Sequence, residues 1–334
     1  MDTTNQPLKF LGPGWFALVM GLTGLSLAWH RATPMMGPSA AQVATVLALL
    51  AAAMFVLLLL AVSWRWRQYA GSWHEDLHHP VRHPFVAALP ISLMLLATAG
   101  VQLAGPLGVW HWLWGAGALL QLAVTVLVLG RWWRPAAQGG LNWAGVTPVL
   151  ILPVVGNILS PLAGVPLGHA ELATAQFAIG LLFWPVMLVL LAVRIAQQGL
   201  WAERLLPSHF ILIAPPAAAG LGLMQLQAPA LWGWACWGIA LFSLLWVLPL
   251  WRRLLALPFG VPHWAVSFPL AALAALSLRL APAGSAMALL ALALLALSSL
   301  VVLALLAATW QGLRRGSLLA PEPVAILQPS SAAD

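Results

Sequence analysis

Ten apolar runs, each of the length a helix needs to cross a bilayer, occupy most of this chain. A hydrocarbon core of about 30 Å is spanned by roughly 20 helical residues rising 1.5 Å each. Runs of that order lie near 14–31, 39–64, 84–104, 108–133, 146–163, 168–196, 208–226, 229–251, 263–281 and 284–313. In lipid every backbone polar group has to be satisfied within the protein, so such runs are helices. The connections are too short for a soluble domain. The sequence therefore predicts an all-α integral membrane protein of ten transmembrane helices, paired as five hairpins. A helical domain over 14–313 is flanked by tails 1–13 and 314–334. The second tail is rich in Pro, Ser and Ala and is expected to be disordered. The first lacks a basic n-region and runs into a full-length span, so it does not read as a cleaved signal peptide.

Composition narrows the function. Of 334 residues 62% are apolar and 6% charged, with one cysteine and a formal net charge of +7. A disordered chain, a disulfide-rich secreted scaffold and a nucleic-acid-binding domain are all excluded by that balance. The charges mark topology instead. Arginines close the even-numbered spans at Arg65 and Arg67, Arg131 and Arg134, Arg194, Arg252 and Arg253, and Arg314 and Arg315. With Lys9, Arg82 and Arg204, twelve of fourteen basic residues fall on one side, leaving Arg31 and Arg279 on the other. By the positive-inside rule both termini are cytoplasmic, which places the chain in the inner (plasma) membrane as a multi-pass protein.

The arginines also reveal a repeat. From Arg67 to Arg134, Arg194, Arg253 and Arg315 the steps are 67, 60, 59 and 62 residues, one helical hairpin each. Odd spans after the first carry an internal proline at Pro90, Pro153, Pro215 and Pro269, and the first has Gly21 and Gly24 at its middle. Proline frees a carbonyl that lipid cannot satisfy, so helices bent by it face protein or a wet cavity. The odd spans also hold Thr23, Ser26, Ser92, Thr98, Asn157, Ser160, Ser267 and Ser277. Odd helices are thus expected inside, around a central pore, and even helices outside, facing lipid or neighbouring protomers. Gly21, Gly24, Ser26, Pro90, Pro153, Pro215 and Pro269 are the candidates for lining or bending that pore. No carboxylate falls near the middle of a span, which weighs against a pump built on intramembrane acids.

At this point the residues resemble the tellurite-resistance and C4-dicarboxylate transporter family, which includes bacterial TehA, fungal malate and sulfite permeases and plant slow anion channels. The resemblance rests on GPGWFALVMGLTGLSLAW (Gly12 to Trp29), HPVRHPF (His79 to Phe85), FWPVML (Phe183 to Leu188) and WAVSFPLA (Trp264 to Ala271), and covers roughly residues 10 to 313. It implies a homotrimer with one pore per protomer, inside five inner helices ringed by five outer ones. It also implies that the phenylalanine of SFP, Phe268, plugs the pore, and that small inorganic or organic anions pass. A phenyl ring in a narrow apolar constriction breaks the water column an anion needs. The expected function is a gated anion channel or passive transporter linked to tellurite resistance. A secondary carrier of malate-like C4-dicarboxylates or sulfite is the alternative.

The segment HEDLHHPVRH offers the densest polar chemistry. His74, His78 and His79 form HxxxHH, resembling one histidine box of membrane di-iron desaturases and hydroxylases. Such a centre needs more boxes, whereas His30, His111, His169, His209 and His263 are isolated. A solvated loop is the expectation, with no metal, no cofactor and no enzymatic activity; a membrane di-iron oxidase is the distant alternative. Arg82 reads equally as a topology marker or as a group drawing anions to the inner mouth.

Overall fold

The computed structural model describes residues 7–79 and 82–319. The tail expected over 314–334 falls mostly outside the described residues, as do residues 1–6 of the other tail. All ten apolar runs are helical, and among the described residues there is no strand. They are α1 (Phe16–Met36), α2 (Pro38–Gln68), α3 (His83–Ala104), α4 (Gly108–Trp133), α5 (Pro148–Gly164), α6 (Ala170–Gln198), α7 (Glu203–Gln225), α8 (Ala230–Ala256), α9 (Val261–Leu280) and α10 (Ala286–Arg314). Eight of these are long and apolar enough to cross a membrane; α1 and the shorter α5 are the other two.

Burial separates the two sets. In the most apolar stretch of α2, α4, α6, α8 and α10 only 22–39% of residues are buried, against 83–100% in α3, α7 and α9. Every residue of α5 is buried, as are Leu18 to Ala28 of α1. The inner helices touch in a closed cycle: α1 packs on α3 and α9, α5 on α3 and α7, and α7 on α9. Each even helix packs on the odd helix before it. Leucines and tryptophans of the even helices, among them Leu49, Leu60, Trp112, Leu231 and Leu300, point away from this core. Water would make such a surface unstable; hydrocarbon is its natural solvent.

The inner helices share a local device. Residues His83–Ala87, Pro148–Ile151, Glu203–Ile213 and Val261–Val266 are 3-10 turns, and the α-helical part starts at Ala88, Leu152, Ala214 and Ser267. Pro90, Pro153, Pro215 and Pro269 each fall in the first turn of that α part. A missing N–H is tolerated there and the fixed φ suits a helix start. The prolines thus mark the switch from 3-10 to α geometry near one end of each inner helix, rather than a break at its middle. The first helix repeats the switch without proline at the junction, Pro13–Trp15 being 3-10 and the α part starting at Phe16.

The segment after α2 keeps the solvent exposure expected of it at His74, Glu75 and His78, but Ser72–His78 is a short helix rather than a loop, and its Asp76 is fully buried against Arg65.

Candidate functional site

At the level of the 3-10 to α switches the five inner helices enclose a cavity of about 20 Å³. Ala17 and Met20 of α1, Phe85 of α3, Leu152 and Val155 of α5, Ile211 and Ala214 of α7, and Trp264, Ala265, Phe268 and Pro269 of α9 wall it. No even helix contributes. The space holds about one water and offers almost no polar partner, so a hydrated anion fits neither by size nor by chemistry.

The ring of Phe268 is 5% exposed and is held from several sides. A Cβ on Gly24 would stand 2.9 Å from Phe268 Cδ2 and 3.3 Å from Ala271 Cβ, so only glycine lets α1 approach the ring this closely. At Gly21 the same approach is made by Ser267 and Trp264. The Ser267 hydroxyl donates to Trp264 O at 2.6 Å, and Trp264 Nε1 donates to Thr309 Oγ1 of α10 at 3.0 Å. Phe268 therefore projects from a junction tied both to its own 3-10 turn and to the outer helix behind it.

The other residues singled out by sequence are spread around this point. Pro269 lines the cavity beside Phe268, while Pro90, Pro153 and Pro215 are buried at the corresponding switches of α3, α5 and α7. Ser26 faces outward, its hydroxyl donating to Ala44 O of α2 at 2.7 Å. Arg82 is half-buried, its backbone N–H donating to His79 Nδ1 at 3.1 Å, and its Nε has no partner. The hydroxyls of Thr23, Ser92, Thr98 and Ser277 each donate to the carbonyl one turn back on their own helix, at 2.7–2.8 Å. Their protons are spent on the backbone, as expected of Ser and Thr in an apolar helix.

A polar centre joins Pro153 and Asn157 to Gln121, Thr125 and Gln176, even-span residues that span parity does not single out. The Pro153 carbonyl accepts from Gln121 Nε2 at 2.8 Å, Thr125 Oγ1 at 3.0 Å and Asn157 Nδ2 at 2.7 Å. Asn157 Nδ2 also donates to Thr125 Oγ1, and Asn157 Oδ1 accepts from Gln176 Nε2 at 3.0 Å. This knot joins α4, α5 and α6, and its side chains are essentially inaccessible. Lone amides in two otherwise apolar outer spans were the available signal, because an amide in lipid needs a partner.

On the basic face the arginines do more than mark orientation. Arg65 is 2% exposed; it pairs with Asp76, and its Nε donates to Lys9 O at 2.8 Å. Arg131 donates to Leu77 O. Arg194 donates to Trp143 O at 3.1 Å and Gly199 O at 2.7 Å, and lies over the Trp201 ring. Arg253 pairs with Glu203 at 3.1 Å. In four successive hairpins, then, an arginine ending the even helix bonds the segment that leads into, or starts, the odd helix of the same hairpin.

His74 and His78 stack at 3.8 Å on the short helix. Burial, reinforced by Arg82 and opposed by Asp76, lowers the His79 pKa to about 4. Among the described residues no three His, Cys, Asp or Glu side chains are grouped so as to hold a metal ion.

Buried inner helices, a lipid-suited outer layer and a small apolar cavity that Phe268 helps to line define a helical membrane protein. The chain belongs to the SLAC1 family, described as voltage-dependent anion channels, whose model matches residues 11–310. It is 30% identical over 283 residues to the tellurite resistance protein TehA homolog of Haemophilus influenzae, covering 82% of this chain and 83% of that one. Over 235 residues it is 28% identical to the S-type anion channel SLAH2 of Arabidopsis thaliana, covering 67% of this chain and 44% of the plant protein. An uncharacterized transporter, MJ0576 of Methanocaldococcus jannaschii, is 22% identical over 299 residues. The chain thus spans most of the Haemophilus protein but less than half the length of the plant channel.

Proposed function

We propose that this protein is a gated conduit for small anions, with Phe268 as the plug. The observation that carries this reading is the small apolar cavity lined by all five inner helices, with Phe268 in its wall. An ion crossing it would have to shed its hydration in an apolar space, which holds the conduit shut until the ring moves. Family membership and the anion-channel and tellurite-resistance names of the relatives support anions as the cargo. The scarcity of acidic residues in the spans fits passive flux better than proton coupling. Pro269, beside the ring, sets the helix start from which Phe268 projects. Pro90, Pro153 and Pro215, with Gly21 and Gly24, shape the same level of the conduit, and Arg82 draws anions toward its mouth.

The proposed architecture has ten crossings, both termini on the basic, cytoplasmic face of the inner membrane, and three protomers with one pore each. Closed contacts within each helix pair and the apolar outer faces support it. Currents of Phe268→Ala in planar bilayers or liposomes test the reading. Chloride or nitrate conductance is expected to rise by tenfold or more, and a correctly assembled variant with wild-type conductance would remove Phe268 as the plug.

A further inference from the structure

A second hollow, of about 200 Å³, lies on the basic face and shares no lining residue with the cavity at Phe268. The foot of α4, the loop that follows it, His78 of the short helix, and His83 and Leu150 at the starts of the inner helices α3 and α5 line it, with Arg131, Trp132 and Asn142 among its walls. Among the described residues no carboxylate lines it. The acids on the neighbouring short helix do not neutralise it either: Asp76 is consumed by Arg65, and Glu75 is exposed.

Several of its side-chain donors lack a full set of partners. Arg131 spends one N–H on Leu77 O, and among the described residues neither ion pair involves it, so most of its guanidinium fork is unspent. The indole N–H of Trp132 is buried without a partner. Asn142 Oδ1 accepts from Gly145 N at 2.8 Å, which fixes the amide plane and leaves Nδ2 as a donor. Along one wall Gly139, in the left-handed region at φ 79°, and Gly140 carry no side chain to narrow the space. A positively charged recess with unsatisfied N–H donors and no competing acid matches an oxyanion, which offers acceptors alone and takes an arginine fork bidentately.

We propose that this hollow is a binding site for one phosphate-class oxyanion, held by the Arg131 guanidinium, the Trp132 indole N–H and the Asn142 amide. The volume takes a tetrahedral oxyanion together with a few waters. Trp133, 90% exposed on the adjacent turn, puts the hollow at headgroup level, so the same chemistry can come from a free anion or from a lipid phosphate. The site shares no lining residue with the cavity at Phe268, and its binding does not depend on Phe268 gating the conduit.

The test uses the full-length protein purified in detergent, with two probes: radiolabelled inorganic phosphate by equilibrium dialysis, and phosphatidylglycerol against phosphatidylcholine by native mass spectrometry. Arg131→Gln removes the charge, and Trp132→Phe removes only one N–H while leaving the Arg131 to Leu77 bond intact. Arg253→Gln, at an exposed pair, is the control, and gel filtration confirms assembly. Binding of at least one probe is expected to fall fivefold or more in both variants but not in the control; which probe responds identifies the source. Absence of binding by either probe, or retention of more than a fifth of wild-type affinity for both probes in either variant, overturns the site.

Discussion

The ring of Phe268 occupies the space that a side chain at Gly24 would need, with Cδ2 2.9 Å from where the Cβ would stand. The ring is therefore seated by an absence on the facing helix. Adding one methyl group at position 24 must move the ring or part α1 from α9. Such overpacking costs about 1–3 kcal/mol. Gly24→Ala is expected to raise anion conductance as Phe268→Ala does, and the double variant to conduct no more than Phe268→Ala alone. Single-channel or liposome flux measurements on the three variants check this; additive increases would mean that Gly24 acts on something other than the ring.

The buried Arg65 to Asp76 pair predicts a stability effect that the exposed Arg253 to Glu203 pair does not share. Removing one member of a buried pair strands the other charge and costs about 3–5 kcal/mol, whereas an exposed pair is worth about 0–1 kcal/mol. Asp76→Asn should lower the melting temperature in detergent clearly, and Glu203→Gln should leave it nearly unchanged.

At the amide knot, Asn157→Ala deletes the group that bridges Thr125 and Gln176. Unsatisfied buried partners cost about 1–3 kcal/mol. Thermal unfolding should register that loss, and Thr125→Val should cost less, because Asn157 keeps its bond to the Pro153 carbonyl.

Acid sensitivity follows from His79, whose native pKa of about 4 lies below its ordinary value of 6.5, first through burial and then through Arg82. A lowered native pKa means that the unfolded chain takes up the proton first. The stabilisation is complete above pH 6.5 and is lost as pH falls from there to about 4. Melting curves of His79→Gln against wild type over that window should show a shallower decline in the variant. Equal slopes would mean that His79 is solvated and titrates normally.

Much of the architecture was legible in the sequence because lipid imposes simple rules. Run length gave the helices, and the parity of prolines and hydroxyls separated α3, α5, α7 and α9 from the greasy α2 and α10. What stayed hidden was partnership. Gly21 and Gly24 read as pore-lining or bending residues, but their meaning lies in Ser267, Trp264 and Phe268, more than 240 residues away. The roles of Gln121 and Gln176 depend on Asn157 between them in sequence, and no periodicity links the three. Asp76 looked like part of a wet histidine loop because nothing local shows that Arg65, eleven residues earlier, needs a counter-charge.

The arginine bonds at the hairpin ends give one charge two successive uses. During insertion a cation at the end of an even helix is read only as charge, and lysine would serve as well. Once the helices are in place, Arg65, Arg131 and Arg194 act through directed N–H groups on backbone carbonyls of their own hairpins, which a single ammonium reproduces poorly. Arg→Lys changes at these positions would preserve how the chain threads the membrane while unfastening each hairpin at its base, separating the information that orients the protein from the bonds that keep it closed.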